Sequence, residues 1–243
     1  MEPMLILLSC ICLCCLTVLA ADPADFLKAV QQGDLEKAAA FLDREPDLAN
    51  AKAPDGASAL LLALYTRHPE VANLLASRGA TIGFFEACAL GRLERVKAFL
   101  SHDPSLLNAF SPDGFNGLSL AAFFERHDVV IFLLARHADP NAHSKNRINI
   151  TPLHSAVDRR DQTLVEILLS HGADPNATEF LGGTPLHTAA MGGMELIVQL
   201  LVRHGTNPNL KMTDGKTARE LAAENKHPEI AEWLDVRAEP REP

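Results

Sequence analysis

Ten histidines, one isolated cysteine and two Asn-x-Ser/Thr triplets are the residues of this chain that could do chemistry. Imidazoles ligate metals and move protons, so the histidines come first. His154 and His187 stand 33 residues apart, and so do His171 and His204. Side chains that recur once per stacked unit lie roughly 10 Å apart, whereas a zinc ion needs all its ligands at about 2 Å. His137, His171 and His204 fall at the ends of apolar helical stretches, where positive character suits a helix C-terminus. His68, His127 and His227 fall in the turns between such stretches. Cys88, between Ala87 and Ala89, takes an alanine-like place and reads as a buried thiol; a nucleophilic or redox role needs exposure and a lowered pKa. The sequons at Asn149 and Asn176 overlap turn and cap residues, which makes chance the simpler origin. No Gly-rich phosphate loop, Gly-x-Ser-x-Gly or His-Glu-x-x-His is present. The expectation is a chain that is not an enzyme, with no catalytic, cofactor or metal site.

Composition supports a packed, uncharged interior. Apolar residues make up 47% of 243 positions, aromatics 5%, and the net charge is −9. Basic residues form no run, which argues against a nucleic-acid partner, because phosphate recognition needs concentrated positive charge. Four of five cysteines (Cys10, Cys12, Cys14, Cys15) lie in the apolar segment 4–21. That segment, ending in Val18-Leu19-Ala20, reads as a signal peptide over residues 1–21 with cleavage after Ala20 or Ala21. Its n-region, Met1-Glu2-Pro3, lacks Lys and Arg, so a retained membrane anchor is the rival reading. Cleavage would leave Cys88 as the one thiol, and the fold would stand on packing without a disulfide.

The organisation that must position any site is periodic. Thr151-Pro152-Leu153-His154 returns as Thr184-Pro185-Leu186-His187. The tract from Leu168 to Ala177, with His171-Gly172-Ala173-Asp174-Pro175-Asn176 within it, returns as Leu200 to Asn209, and an earlier copy runs from Leu133 to Ala142. A period of 33 with this wording resembles the ankyrin repeat. Indexed on the Thr position, equivalents fall at Ala24, Ser58, Ile82, Asn116, Thr151, Thr184 and Thr217, with a turn residue nine places later in each. The step from Ser58 to Ile82 is about ten residues short, the length of one finger hairpin, so the second and third repeats should join directly. Residues 26–80 also align without gaps on 84–138, with 22 identities in 55 positions, including Pro46/Pro104, Asn50/Asn108 and Pro54-Asp55-Gly56/Pro112-Asp113-Gly114. A duplicated two-repeat block is the economical origin.

The resemblance implies an all-α repeat solenoid: an ankyrin-repeat array of stacked helix-turn-helix units with short β-hairpin or turn fingers. One domain over 22–236, about seven repeats, should precede a polar, disordered tail at 237–243. Thr151 and Thr184 should cap the first helices through their hydroxyls, and Gly172 and Gly205 should close the second helices in the left-handed region. The motif histidines should tie each turn to the next repeat. No unit can bury its apolar face alone, so stability is shared along the array.

The resemblance also implies function. Ankyrin arrays bind other proteins on the concave face built from first helices and fingers. The positions that would point there are Tyr65, Thr66, Leu90, Phe123, Phe124, Asp158, Arg159 and Met191, with Phe110, Arg147 and Phe180 on the fingers. Aromatics in repeats two to four beside the charged Asp158-Arg159-Arg160-Asp161 have the composition of an interface hot spot, although one of Phe123 and Phe124 could turn into the core. The expectation is an exported (periplasmic or extracellular), monomeric, non-enzymatic scaffold for a protein partner. The alternative is a membrane-tethered scaffold that keeps its N-terminal segment.

Overall fold

The computed structural model describes residues 22–238. Among them are seven helix pairs: α1 Pro23–Gln32 and α2 Leu35–Arg44; α3 Ala59–Tyr65 and α4 Pro69–Ser77; α5 Phe84–Leu90 and α6 Leu93–His102; α7 Gly117–Phe123 and α8 His127–Ala135; α9 Pro152–Asp158 and α10 Gln162–Ser170; α11 Pro185–Met191 and α12 Glu195–Arg203; α13 Ala218–Glu224 and α14 Pro228–Ala238. First helices stack on first helices from α1 to α13, and second helices form the other layer. The expected leader at 1–21 lies outside the described residues. No described helix is long and apolar enough to cross a membrane.

Each first helix ends at one residue in the left-handed region. These are Gly33, Arg67, Gly91, Glu125, Arg160, Gly193 and Lys226, nine places after each indexed position. Such a residue reverses the chain within two or three residues and brings the second helix back along the first. Glycine has no Cβ to strain there. At Gly33 a second reason applies, since an added Cβ would sit 2.3 Å from the His68 ring of the next repeat. Buried alanines let the first helices approach: Ala87, Ala89, Ala121, Ala122, Ala189 and Ala190 have no exposed surface. Leucines of the second helices, including Leu75, Leu133, Leu168 and Leu201, fill the layer between.

The joint between α4 and α5, residues 78–83, carries no finger. The other connections project as fingers. Three of these close on a single antiparallel bridge, Lys52 to Ser58, Phe110 to Asn116 and Lys211 to Thr217, so the hairpins are reduced to one pair of residues. Five-residue 3₁₀ turns, Pro46–Asn50 and Pro104–Asn108, follow α2 and α6 in both copies of the duplicated block.

Asparagines knit the turns together. Asn141 Nδ2 donates to the Gly172 carbonyl at 2.9 Å while its Oδ1 accepts from Asp174 N–H at 2.7 Å. Asn176 repeats this with Gly205 and Asn207 (3.3 and 2.8 Å), and Asn50 with Gly79 and Thr81 (3.4 and 2.7 Å). Asn108 accepts from Asp139 N–H at 3.0 Å. The Asn176 sequon is thus built into the repeat, with its amide already engaged.

The helix ends bear out the threonine caps and correct the place of His137. Thr151 and Thr184 each close a capping box: the hydroxyl faces the N3 backbone N–H, and Nδ1 of His154 or His187, 2.8 and 2.9 Å from that hydroxyl, accepts the threonine N–H in return. His137 does not share the address of His171 and His204. It stands one place later, where Gly172 and Gly205 stand, at φ 64°. Helix α1 begins at Pro23, because the Asp22 carboxylate accepts from Ala24 N–H and caps it two residues early. Helix α14 runs to Ala238, since Arg237 and Ala238 are good helix formers. The first two residues of the expected tail, 237 and 238, thus fall within α14, and residues 239–243 lie outside the described residues.

Candidate functional site

The ends of the first helices and the fingers carry the residues singled out from sequence. Tyr65 ends α3, and its neighbours are other rings. It stacks on Phe124 with centroids 5.5 Å apart and meets Phe123 edge-on at 6.1 Å. Phe115, also 6.1 Å away, completes the cluster and was not among the expected site residues. The Tyr65 hydroxyl donates to Asp113 Oδ2 at 2.8 Å. Burial first, and then the Asp113 carboxylate, push the phenol well above its ordinary pKa. Phe123 and Phe124 pack at right angles, 5.1 Å apart. These rings are half-buried on one another and do not stand out as separate anchors. Aromatics in contact lower their exposure by covering each other, and that pairing cannot be read from helix spacing.

The remaining positions divide. Thr66 returns its hydroxyl to the Leu62 carbonyl at 2.8 Å, and Leu90 packs on the core. Arg159 lies 5.3 Å over the Phe123 ring with its Nε 3.1 Å from Glu125, while Asp158 is exposed. The fingers clasp one another. Lys145 covers Phe110 at 4.3 Å and Arg147 covers Phe180 at 5.5 Å. Phe180 N–H donates to the Ile148 carbonyl at 3.1 Å, and Thr213 N–H to that of Leu181 at 2.9 Å. The large apolar side chains left in water here are Ile148 (48% exposed), Phe180 (54%), Leu181 (49%) and Met191 (46%). Ile148 and Leu181 are loop residues without periodic neighbours, so no pattern marked them. The exposed apolar surface therefore lies toward repeats five and six, and at Ile148 it borders the pocket walled by the aromatic cluster.

Behind the fingers is a cavity of about 380 Å³, walled by Tyr65, Phe115, Phe123 and Ile150 and lined also by Asp113 and Ser119. Its size is within the range of small-ligand pockets, ~300–1,000 Å³.

The buried titratable groups answer to structure. His154 Nδ1 accepts from Thr151, so Nε2 carries the proton and donates to the Gly183 carbonyl of the next finger at 3.3 Å. Burial is the main cause that lowers its pKa from 6.5 to about 4. His187 is lowered for the same reason, and its Nε2 lies against the next repeat without a well-formed hydrogen bond. Burial first, then Glu86, pushes the Cys88 thiol far up, which makes it inert as a nucleophile. Among the described residues no three His, Cys, Asp or Glu side chains converge as metal ligands.

The family model of ankyrin repeats (3 copies) matches residues 84–179 and 176–240. The chain is 33% identical over 174 residues to the ankyrin repeat protein YahD of Escherichia coli (strain K12), covering 66% of this chain and 85% of that protein. It is 40% identical over 65 residues to the ankyrin repeat protein FPV230 of Fowlpox virus, 27% of this chain and 34% of that one. It is 34% identical over 103 residues to the palmitoyltransferase AKR1 of Lachancea kluyveri, covering 40% of this chain but 13% of that enzyme. With paired helices stacked in register and the motif residues in their places, the chain belongs to the ankyrin-repeat family.

Proposed function

We propose that this chain is an exported scaffold that holds another protein on the concave face of its array. Ankyrin repeats in general serve as non-enzymatic protein-binding modules, and that much follows from membership. The finer reading rests on one observation: Ile148, Phe180, Leu181 and Met191 stay exposed on the finger and first-helix side of repeats five and six. Exposed apolar groups beside Lys145, Arg147 and Asp158 have the make-up of an interface core with a charged rim. Export is supported by the apolar segment 4–21 and its small-residue end.

The test is affinity capture from the native compartment with the natural chain and two variants. The first replaces Phe180, Leu181 and Met191 with Ser. The second, a control, replaces the exposed Leu196 on second helix α12. A protein held by the natural chain and the control, and lost by the triple variant, supports the reading. Equal retention by all three removes this surface from consideration. Intact mass of the natural protein decides export: a chain beginning near residue 21 or 22 supports cleavage, and an uncleaved chain in the membrane fraction establishes the tethered alternative.

A further inference from the structure

The cavity behind the fingers holds two polar groups that the fold leaves incomplete. Asp113 is 6% exposed, and its carboxylate accepts only from hydroxyls, those of Tyr65 and Ser111. None of the ion pairs among the described residues includes it. A buried carboxylate is ordinarily matched by a cation, since hydroxyls neutralise none of its charge. The Ser119 hydroxyl, 1% exposed, has no partner at all. Both residues line the same cavity, with Asp55 as a second carboxylate at its edge. The rim guanidinium, Arg147, is engaged elsewhere, 5.5 Å over Phe180. The walls are rings and branched aliphatics, and ring faces attract positive charge.

We propose that this cavity is a binding site for a small organic cation: a primary ammonium carried on an apolar body the size of a single arene. The ammonium donates to the free lone pairs of Asp113 and to Ser119 Oγ. The body lies between Tyr65, Phe115 and Phe123. One ligand group thus supplies the missing charge and the missing hydrogen bond, and the apolar remainder fills the space. The cavity shares Arg147 and Ile148 with the exposed surface of repeats five and six, but its polar groups, Asp113 and Ser119, lie outside that surface, and titration of the purified protein reads it without a protein partner.

The test is calorimetric titration of the purified protein with phenethylamine and with 2-phenylethanol, its neutral counterpart. The amine should bind saturably at one site, with the alcohol at least about tenfold weaker. Asp113→Asn should weaken the amine by roughly tenfold or more, and Ser119→Ala by about threefold or more. Ser119→Ala removes an unpaired polar group, so its melting temperature should hold or rise and certify the fold. If Asp113→Asn does not fold, the amine-to-alcohol ratio and Ser119→Ala decide the matter. No saturable amine binding up to roughly 10 mM overturns the proposal. So does equal binding of amine and alcohol, or a folded Ser119→Ala that binds like the natural chain.

Discussion

Acid should loosen this array through His154. In the folded chain its pKa is lowered from 6.5 to about 4 by burial, so the native state keeps it neutral while the unfolded chain takes a proton. The sign follows: stability is whole above about pH 6.5, falls as pH drops from there toward 4, and levels off below. A drop from 6.5 to about 4 corresponds to about 3 kcal/mol, most of which should be lost by about pH 4.5. His187 acts in the same direction. The assay is urea unfolding between about pH 7.5 and 4.5 for the natural chain and for His154→Asn. Carboxylates titrate in both proteins, so the difference between their slopes isolates the imidazole. The natural chain should lose about 2–3 kcal/mol more than the variant over that range. Parallel curves would mean that His154 is protonated in the fold, and the assignment of Nδ1 as acceptor from Thr151 would be wrong.

Three further outcomes follow from particular contacts. Asn141→Asp keeps the acceptor for Asp174 N–H but sets a second oxygen against the Gly172 carbonyl; the cost should be about 1–2 kcal/mol at neutral pH by urea unfolding, against near zero for Asn73→Asp, an exposed site on α4. His137→Gly relieves a non-glycine residue at φ 64° and should raise stability by about 0.5–1 kcal/mol, visible as a melting temperature higher by a few degrees. Trypsin should cut first after Lys145 or Arg147, in an exposed finger, and later at Arg78 in the fingerless joint; early cleavage at Arg78 would contradict the joint's compactness.

The fold was legible because its constraints recur. A left-handed residue at the same offset in every repeat leaves a mark even where it is Arg67 or Lys226, since the spacing to its neighbours is fixed by helix length. The 3₁₀ turns after α2 and α6 left a mark as well, in the matched Pro46/Pro104 and Asn50/Asn108, but five residues carry no period that names an element. His137 was misplaced by one residue because Arg136-His137 and Ser170-His171-Gly172 look alike when the glycine is missing. The candidate site was legible as a set of positions only. Whether Tyr65 faces solvent or Phe124 depends on a ring three repeat-helices of sequence away, and Ile148 is exposed because its finger clasps the next one. Both are contacts between units, which a repeat pattern does not encode.

The asparagine contacts have a mechanical meaning. Asn141 and Asn176 each stand four places after the residue that closes a second helix, and each fastens the loop before a helix pair to the loop after it. Along the edge of the array these staples succeed one another across the last repeats, and Asn50 supplies one across the second. In the shortened joint the same place is held by Gly83, which has no amide to extend. The solenoid is therefore two stapled spans meeting at an unstapled third repeat. Bending of the array should come most easily there, so flexing is expected to concentrate at one known point rather than spread along its length.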